Sequence, residues 1–345
     1  MRLGIGLALA SAVAFGATTP VIYRVGQGVS PLVTAGLLYA GAAILTLALR
    51  PVVARSGRAL TIAKAPRLLV IALFGAVLAP TAMVFGLARV GALASSLLLN
   101  LEALFTVVLG LLVYREPLGR RMLAGAVAMI AGGVLLALDA GRIGGGASLV
   151  GILALVACTL SWATDNVLTR ALREEDPADI VIWKGLLGAF ATLGLATAMG
   201  EPWPSPSATV GLLACGATGY GASLRLYLLA QRRVGASRTG SVFAAGPFVG
   251  AVLSWLLGDK QPGTLALTAG CAFAAGAWLH LTERHAHAHV HEPLEHVHAH
   301  THDDQHHFHV HDPPVTGEHT HAHSHEHLAH EHEHSLDVHH DHPHS

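Results

Sequence analysis

Apolar residues fill the first 280 positions in blocks of about twenty, separated by short polar or Pro/Gly stretches such as Arg50 to Arg67 and Arg115-Glu-Pro-Leu-Gly-Arg-Arg121. A helix needs roughly 20 mostly apolar residues to cross a bilayer. The pattern predicts ten such helices, over 3–23, 31–49, 68–88, 92–114, 120–138, 149–170, 179–200, 208–230, 239–258 and 262–281. Beyond them the pattern changes, and histidine alternates with small or acidic residues.

Composition marks the same division. The chain has 345 residues, 52% hydrophobic and only 12% charged, where a soluble domain carries about a quarter charged residues. Residues 1–280 hold 20 Lys/Arg and 10 Asp/Glu, and residues 281–345 hold one Arg and 12 Asp/Glu. All 25 histidines lie from His280 onward. Cys158, Cys215 and Cys271 are far apart in apolar runs, without metal-ligand spacing, and read as packing residues. No nucleophile motif or phosphate loop points to an enzyme.

The apolar part repeats. Ala17-Thr18-x-x-Val21-x-x-Arg24 recurs as Ala163-Thr164-x-x-Val167-x-x-Arg170, and Pro31 recurs as Pro177, both at an offset of 146. Arg89-Val-Gly-Ala92 recurs as Arg233-Val-Gly-Ala236 at 144. The common spacing gives two five-helix halves. An odd number of crossings puts them in the bilayer with opposite orientation, as in many secondary transporters. The expected organisation is residues 1–139, residues 149–282 and a tail over 283–345. Arg2 before an apolar stretch resembles a signal peptide, but the repeat partner of this segment argues that it is retained. With the N-terminus inside, cytoplasmic segments hold 15 Lys/Arg and the opposite side holds 4, namely Arg24, Arg89, Arg142 and Lys260. The positive-inside rule then places both termini in the cytoplasm.

Glu102, Asp165, Lys184 and Arg225 fall within spans. Ionisable groups there are costly unless paired or hydrated, and point by default to function. At 1.5 Å per residue, Asp165, Lys184 and Arg225 sit roughly 7–11 Å in from the cytoplasmic helix ends. Matched depth and opposite charge predict that Asp165 and Lys184 face each other. The plain alternatives are snorkelling of Lys184 and Arg225 and an Asp165–Lys184 pair that only fixes packing. Glu102 is too short and too deep to snorkel and is the best candidate for cavity lining, where it could couple proton movement to transport. Asn100 and Asn166 flank these acids. The expected transport site is Asn100, Glu102, Asp165, Asn166, Lys184 and Arg225.

The run Arg89-Val-Gly-Ala-Leu-Ala-Ser-Ser-Leu-Leu-Leu-Asn-Leu-Glu-Ala-Leu-Phe105, followed by Tyr114-Arg-Glu-Pro-Leu118, resembles the fourth-helix region of the drug/metabolite transporter superfamily, EamA-type branch. The stretch Trp162-Ala-Thr-Asp-Asn-Val-Leu-Thr-Arg170, with Lys184-Gly-Leu, Gly219-Tyr-Gly221 and Arg238-Thr-Gly240, resembles a bacterial subgroup that also ends in a His-rich tail. The resemblance covers about 1–285. It implies an all-α polytopic membrane protein of ten helices in two inverted repeats, inner-membrane residence, and export or exchange of small metabolites. The sequence departs from the family pattern where Ala103, rather than Pro, follows Glu102, and where Gly246-Pro247 stands in place of a second acid.

Residues 285–344 contain 24 histidines. Few apolar residues and many acids predict a disordered tail. The candidate metal ligands are His285, His287, His289, His291, His296, His298, His300, His302, His306, His307, His309, His311, His319, His321, His323, His325 and His327. Neutral imidazole suits Zn, Ni, Co and Cu, so divalent transition metals are expected on the tail and no cofactor is required for the core. The plain alternative is a solvated acidic tail, or a pH sensor gaining charge near pH 6.

Three readings stay open: a secondary transporter of a small organic metabolite with a metal-binding tail, a transition-metal exporter whose tail collects cargo, and a membrane-anchored metal store. Residues 1–279 contain no histidine, which weighs against a metal path. Lys184 and Arg225 suit an anionic or carboxylate-bearing small-molecule substrate. The expected partners are that substrate, the lipid bilayer and divalent metals, with a homodimer admitted and no nucleic acid.

Overall fold

The computed structural model describes residues 2–51, 57–114, 120–172, 175–234, 236–258 and 262–282, together with the backbone of four tail segments. The helices are α1 (Arg2–Val25), α2 (Pro31–Leu49), α3 (Ala65–Ala72), α4 (Ala79–Val90), α5 (Ala92–Leu98), α6 (Leu101–Tyr114), α7 (Arg120–Thr169), α8 (Pro177–Ala198), α9 (Pro206–Cys215), α10 (Ser223–Val234), α11 (Ala236–Phe243), α12 (Gly246–Leu256) and α13 (Thr264–Leu281). A π-helical segment, Leu73–Leu78, fuses α3 to α4. A second, Gly216–Ala222, fuses α9 to α10.

Local chemistry sets several starts. Ser30, Asp176 and Ser205 are N-caps whose side chains accept from Val33 N, Ala178 N and Ala208 N, and each is followed by proline at the first helical position. The rest is the apolar run itself. Phe190, Leu112, Val210 and Trp278 are exposed on the outside of the bundle. That many exposed large apolar side chains would be untenable in water and are expected against lipid.

Among the described helices, seven stretches are long and apolar enough to cross a membrane, and Gly246–Leu256 and Thr264–Leu279 are apolar but shorter. The ten expected spans differ from these for identifiable reasons. The eighth carries Arg225, and α10 continues past it into Gln231, Arg232 and Arg233. The ninth is split between α11 and α12.

The fifth and sixth expected spans lie within one 50-residue helical run, α7. It cannot be straight. Leu101 lies 3.8 Å from the Cβ position of Gly133, and the adjacent Glu102 hydrogen-bonds Asn166. A straight helix would hold residues 133 and 166 about 50 Å apart. The run therefore doubles back, and Arg120–Asp139 and Ser148–Leu172 are separate crossings.

The two repeats are inverted. The mates α2 and α8 lie side by side and antiparallel. Arg50, just past α2, reaches Asp176 at the start of α8 at 3.1 Å. Ser30, before α2, hydrogen-bonds Glu201 beyond α8. Along their length Gly185 approaches the Tyr39 carbonyl, leaving 2.9 Å to where its Cβ would be.

The tail is a separate unit, residues 284–335. Its backbone forms β1 (His285–His291), β2 (Leu294–His300), β3 (His319–His325) and β4 (Leu328–His334). β1 pairs antiparallel with β4, and β2 with β3. The alternation that makes the tail polar also has the two-residue period of a strand, and ladder pairing satisfies its backbone groups. Such isolated two-stranded pairs are marginal in water. His302, His306, His307, His309, His311 and His327 lie outside the described residues.

Candidate transport site

Each repeat interrupts its helices at corresponding points. The fourth crossing breaks at Leu99-Asn100, between α5 and α6, and the ninth at Ala244-Ala245, between α11 and α12. The π-helical segments Leu73–Leu78 and Gly216–Ala222 likewise correspond, near the repeat offset. Broken helices in both halves are how many transporters present backbone groups to a central site, and π-bulges concentrate at functional sites.

The Gly75 carbonyl, inside the first π segment, accepts from the Tyr39 hydroxyl and from Trp162 Nε1 at 3.1 Å. Gly75 must be glycine. A Cβ there would run into the Asp165 carboxylate and come within 2.7 Å of Lys184 Cε.

Asp165 and Lys184 form an ion pair, as their depth predicted. Both are buried, at 4% and 5% exposure, and Thr169 Oγ1 donates to Asp165 Oδ1 at 3.2 Å. Pairing removes most of the cost of burying either charge. The sequence offset of 146 matches Asp165 to Thr19 and Lys184 to Leu38. The first repeat thus has uncharged residues where the second has the pair, and the inversion is chemically asymmetric.

Glu102 sits in the first turn of α6, just after the break, and is half-buried. Its Oε1 accepts from Asn166 Nδ2 at 2.7 Å. Asn100 is buried and donates to the Leu97 carbonyl at 3.0 Å, so it terminates α5. Arg225 on α10 is half-buried and makes no hydrogen bond or ion pair with the described residues. The structure thus joins Asp165 with Lys184 and Glu102 with Asn166, sets Asn100 to cap a broken helix, and gives Arg225 no hydrogen bond or ion pair among the described residues.

Two features went unread in the sequence. Around the first π segment lies an aromatic cluster. Phe15 packs against Trp162 at 5.8 Å, Tyr220 at 6.0 Å and Phe243 at 5.5 Å, Tyr39 against Tyr220 at 5.4 Å, and Tyr227 against Phe243 at 5.0 Å. Trp162 and Tyr220 lie inside motifs already singled out, and that was the available signal. The second feature is a lattice of charges at one end of α2 and α8. Arg50 binds Asp176 at 3.1 Å and Asp179 at 2.6 Å, and Lys64 pairs with Glu175. The backbone joins in, with Asp176 N donating to Arg58 O at 2.8 Å. Arg50 and Lys64 had counted only as loop charges.

The arrangement offers a partly accessible carboxylate and amide beside aromatic surface and a fixed ion pair.

A model of the EamA-like transporter family matches residues 2–138 and 149–282. An uncharacterized transporter of Methanothermobacter thermautotrophicus is 31% identical over 194 residues, 55% of this chain and 57% of its own length. A probable amino-acid metabolite efflux pump of Salmonella typhimurium is 34% identical over 98 residues, and one of Escherichia coli K12 is 32% identical over 97. Each of these matches covers 27% of this chain and 32% of the pump. The chain thus spans about half the length of the first of these curated relatives and about a third of the pumps. A solved crystal structure superposes with a TM-score of 0.60 over 80% of this chain and 94% of its own, at 20% identity, which is a likeness of fold. The same family model matches both halves of a multi-pass bundle whose two sets of broken helices correspond, and the chain belongs to the EamA-like transporter family.

Proposed function

We propose that the protein is a secondary transporter that exports a small organic metabolite bearing a carboxylate. The observation that carries this reading is Glu102 at the start of a broken helix, hydrogen-bonded to Asn166 and only half-buried. Asp165–Lys184, closed from its surroundings, holds the wall of the site, whereas Glu102, Asn166 and Arg225 are left to meet solute. Arg225, without a partner among the described residues, supplies the positive charge a carboxylate needs. The amino-acid metabolite pumps among the relatives make amino-acid derivatives the first solutes to test.

The excess of Lys/Arg on one set of loops supports a cell-membrane protein with both termini in the cytoplasm. The tail there binds divalent transition metals and buffers or senses them. Metal as cargo is disfavoured by the lack of histidine in residues 1–279.

Untargeted profiling of metabolites exported by cells with and without the protein, at low and high zinc, tests the reading. The expected result is a set of small carboxylate-bearing solutes exported only with the protein. Unchanged organic export, with zinc leaving the cells instead, would replace this reading with metal export.

A further inference from the structure

Glu102 has acceptor capacity that its bond to Asn166 does not use. A carboxylate accepts at about four lone-pair sites, and only Oε1 is engaged, by Asn166 Nδ2. No cation pairs with Glu102 among the described residues, and the Lys184 ammonium is committed to Asp165. A carboxylate that ionises inside a bundle calls for a positive partner.

Thr106 lies one turn further along α6, on the same face as Glu102, a spacing that sets Cβ atoms about 5–6 Å apart. Its hydroxyl is buried and has no hydrogen-bond partner. Threonine in a membrane helix commonly bonds the carbonyl four residues back. Thr46, Thr159, Thr192 and Thr197 do so here, at 2.7, 3.1, 2.7 and 2.8 Å. Thr106 does not, and a buried hydroxyl left unpaired is costly.

Aromatic rings adjoin this pair. Asn166, which holds Glu102, stands one turn from Trp162 on α7. From Trp162 the rings run to Phe15, from Phe15 to Phe243, and from Phe243 to Tyr227. Phe243 and Tyr227 are only half-buried. The Tyr220 and Tyr227 hydroxyls lie within electrostatic reach of Glu102. A ring face is negative and attracts a cation within about 6 Å of its centroid. Carboxylate, unpaired hydroxyl and ring faces thus share one preference. An ammonium group has three donors and no acceptor, so it satisfies all of them at once.

We propose that Glu102, Thr106 and the rings of Phe243 and Tyr227 form a subsite for a protonated amine, so that the exported solute carries an ammonium group as well as a carboxylate. The inference rests on the export of a carboxylate-bearing solute and adds what the opposite end of that solute must be. Glu102 and Thr106 take N–H donors, and the rings cover the remaining side of the cation. An α-hydroxy acid has the carboxylate and nearly the size of the matching α-amino acid, but it lacks the positive charge.

Purified full-length protein in vesicles loaded with equal amounts of α-amino acids and their matching α-hydroxy acids tests the point, with both efflux rates read by mass spectrometry from the same vesicles. Wild type should release the amino acids at least about tenfold faster than the hydroxy acids, the scale of a hydrogen bond to a charged group. That ratio should fall severalfold in Thr106→Val and approach one in Glu102→Gln. Misfolded protein slows both rates alike and leaves the ratio unchanged. Thr106→Val carries the comparison where Glu102→Gln releases too little to measure. Equal release of both acids by wild type would overturn the amine subsite while leaving carboxylate export intact. A ratio unmoved by either substitution would overturn its placement at Glu102 and Thr106. A wild-type protein that releases neither acid would overturn the subsite together with the reading it rests on.

Discussion

Glu102 and Lys184 are both ionisable side chains within membrane-spanning helices, yet their surroundings assign them different work. Glu102 is half-buried with one hydrogen-bond partner, Asn166. Lys184 is sealed against Asp165. Glu102→Gln keeps the shape and removes the charge, so transport is expected to fall at least about tenfold, the range for a single group acting in a reaction step, while folding is retained. Transport rates against pH for both forms would check this, and an unchanged profile would exclude a coupling role. Lys184→Met leaves the Asp165 carboxylate buried without its partner and is expected to cost about 3–5 kcal/mol. Lys184→Met combined with Asp165→Asn should recover most of that loss. Thermal unfolding of the three proteins in detergent measures it, and a double variant no more stable than the single would contradict a structural role for the pair. The charges and their depths were legible in the sequence, because ionisable residues stand out in apolar runs. The aromatic cluster was not, because Phe15, Tyr39, Trp162, Tyr220 and Phe243 come from five separate segments and look like ordinary membrane residues until the helices pack.

At the scale of elements, apolar run length fixed the crossings but not their continuity. The break at Leu99-Asn100 has no proline or glycine to announce it, and Asn100 acts by binding the Leu97 carbonyl. The π segments depend on what packs against them. Gly75 opens its carbonyl to Tyr39 and Trp162, residues remote in sequence. The Gly75→Ala variant tests the close approach. Its methyl group would collide with the Asp165 carboxylate, and overpacking of this kind costs about 1–3 kcal/mol. A wild-type unfolding temperature would show that the segment yields more readily than the geometry allows. The antiparallel seat of α2 on α8 is held at one end by Arg50 with Asp176 and Asp179. Arg50→Ala removes the guanidinium that bridges two largely buried acids, and should lower stability by about 1–3 kcal/mol. Most of that loss should persist in high salt, since partly buried pairs are screened less than exposed ones. Unfolding measured across ionic strength checks both points.

For the whole molecule, the two-fold internal repeat was readable from three short motif pairs, and the antiparallel α2 and α8 express it directly. The repeat does not extend to charge, since the second half carries Asp165 and Lys184 where the first has Thr19 and Leu38. The central claim is that this bundle moves an organic solute through a site built on Glu102. Purified full-length protein in vesicles loaded with amino-acid derivatives, other small carboxylates and zinc ions tests it most directly, with efflux followed by mass spectrometry. The account predicts selective loss of one or a few organic solutes, abolished or strongly slowed by Glu102→Gln, with zinc retained. Vesicles that release zinc alone, or that release the same solutes at the same rate with Glu102→Gln, would contradict it.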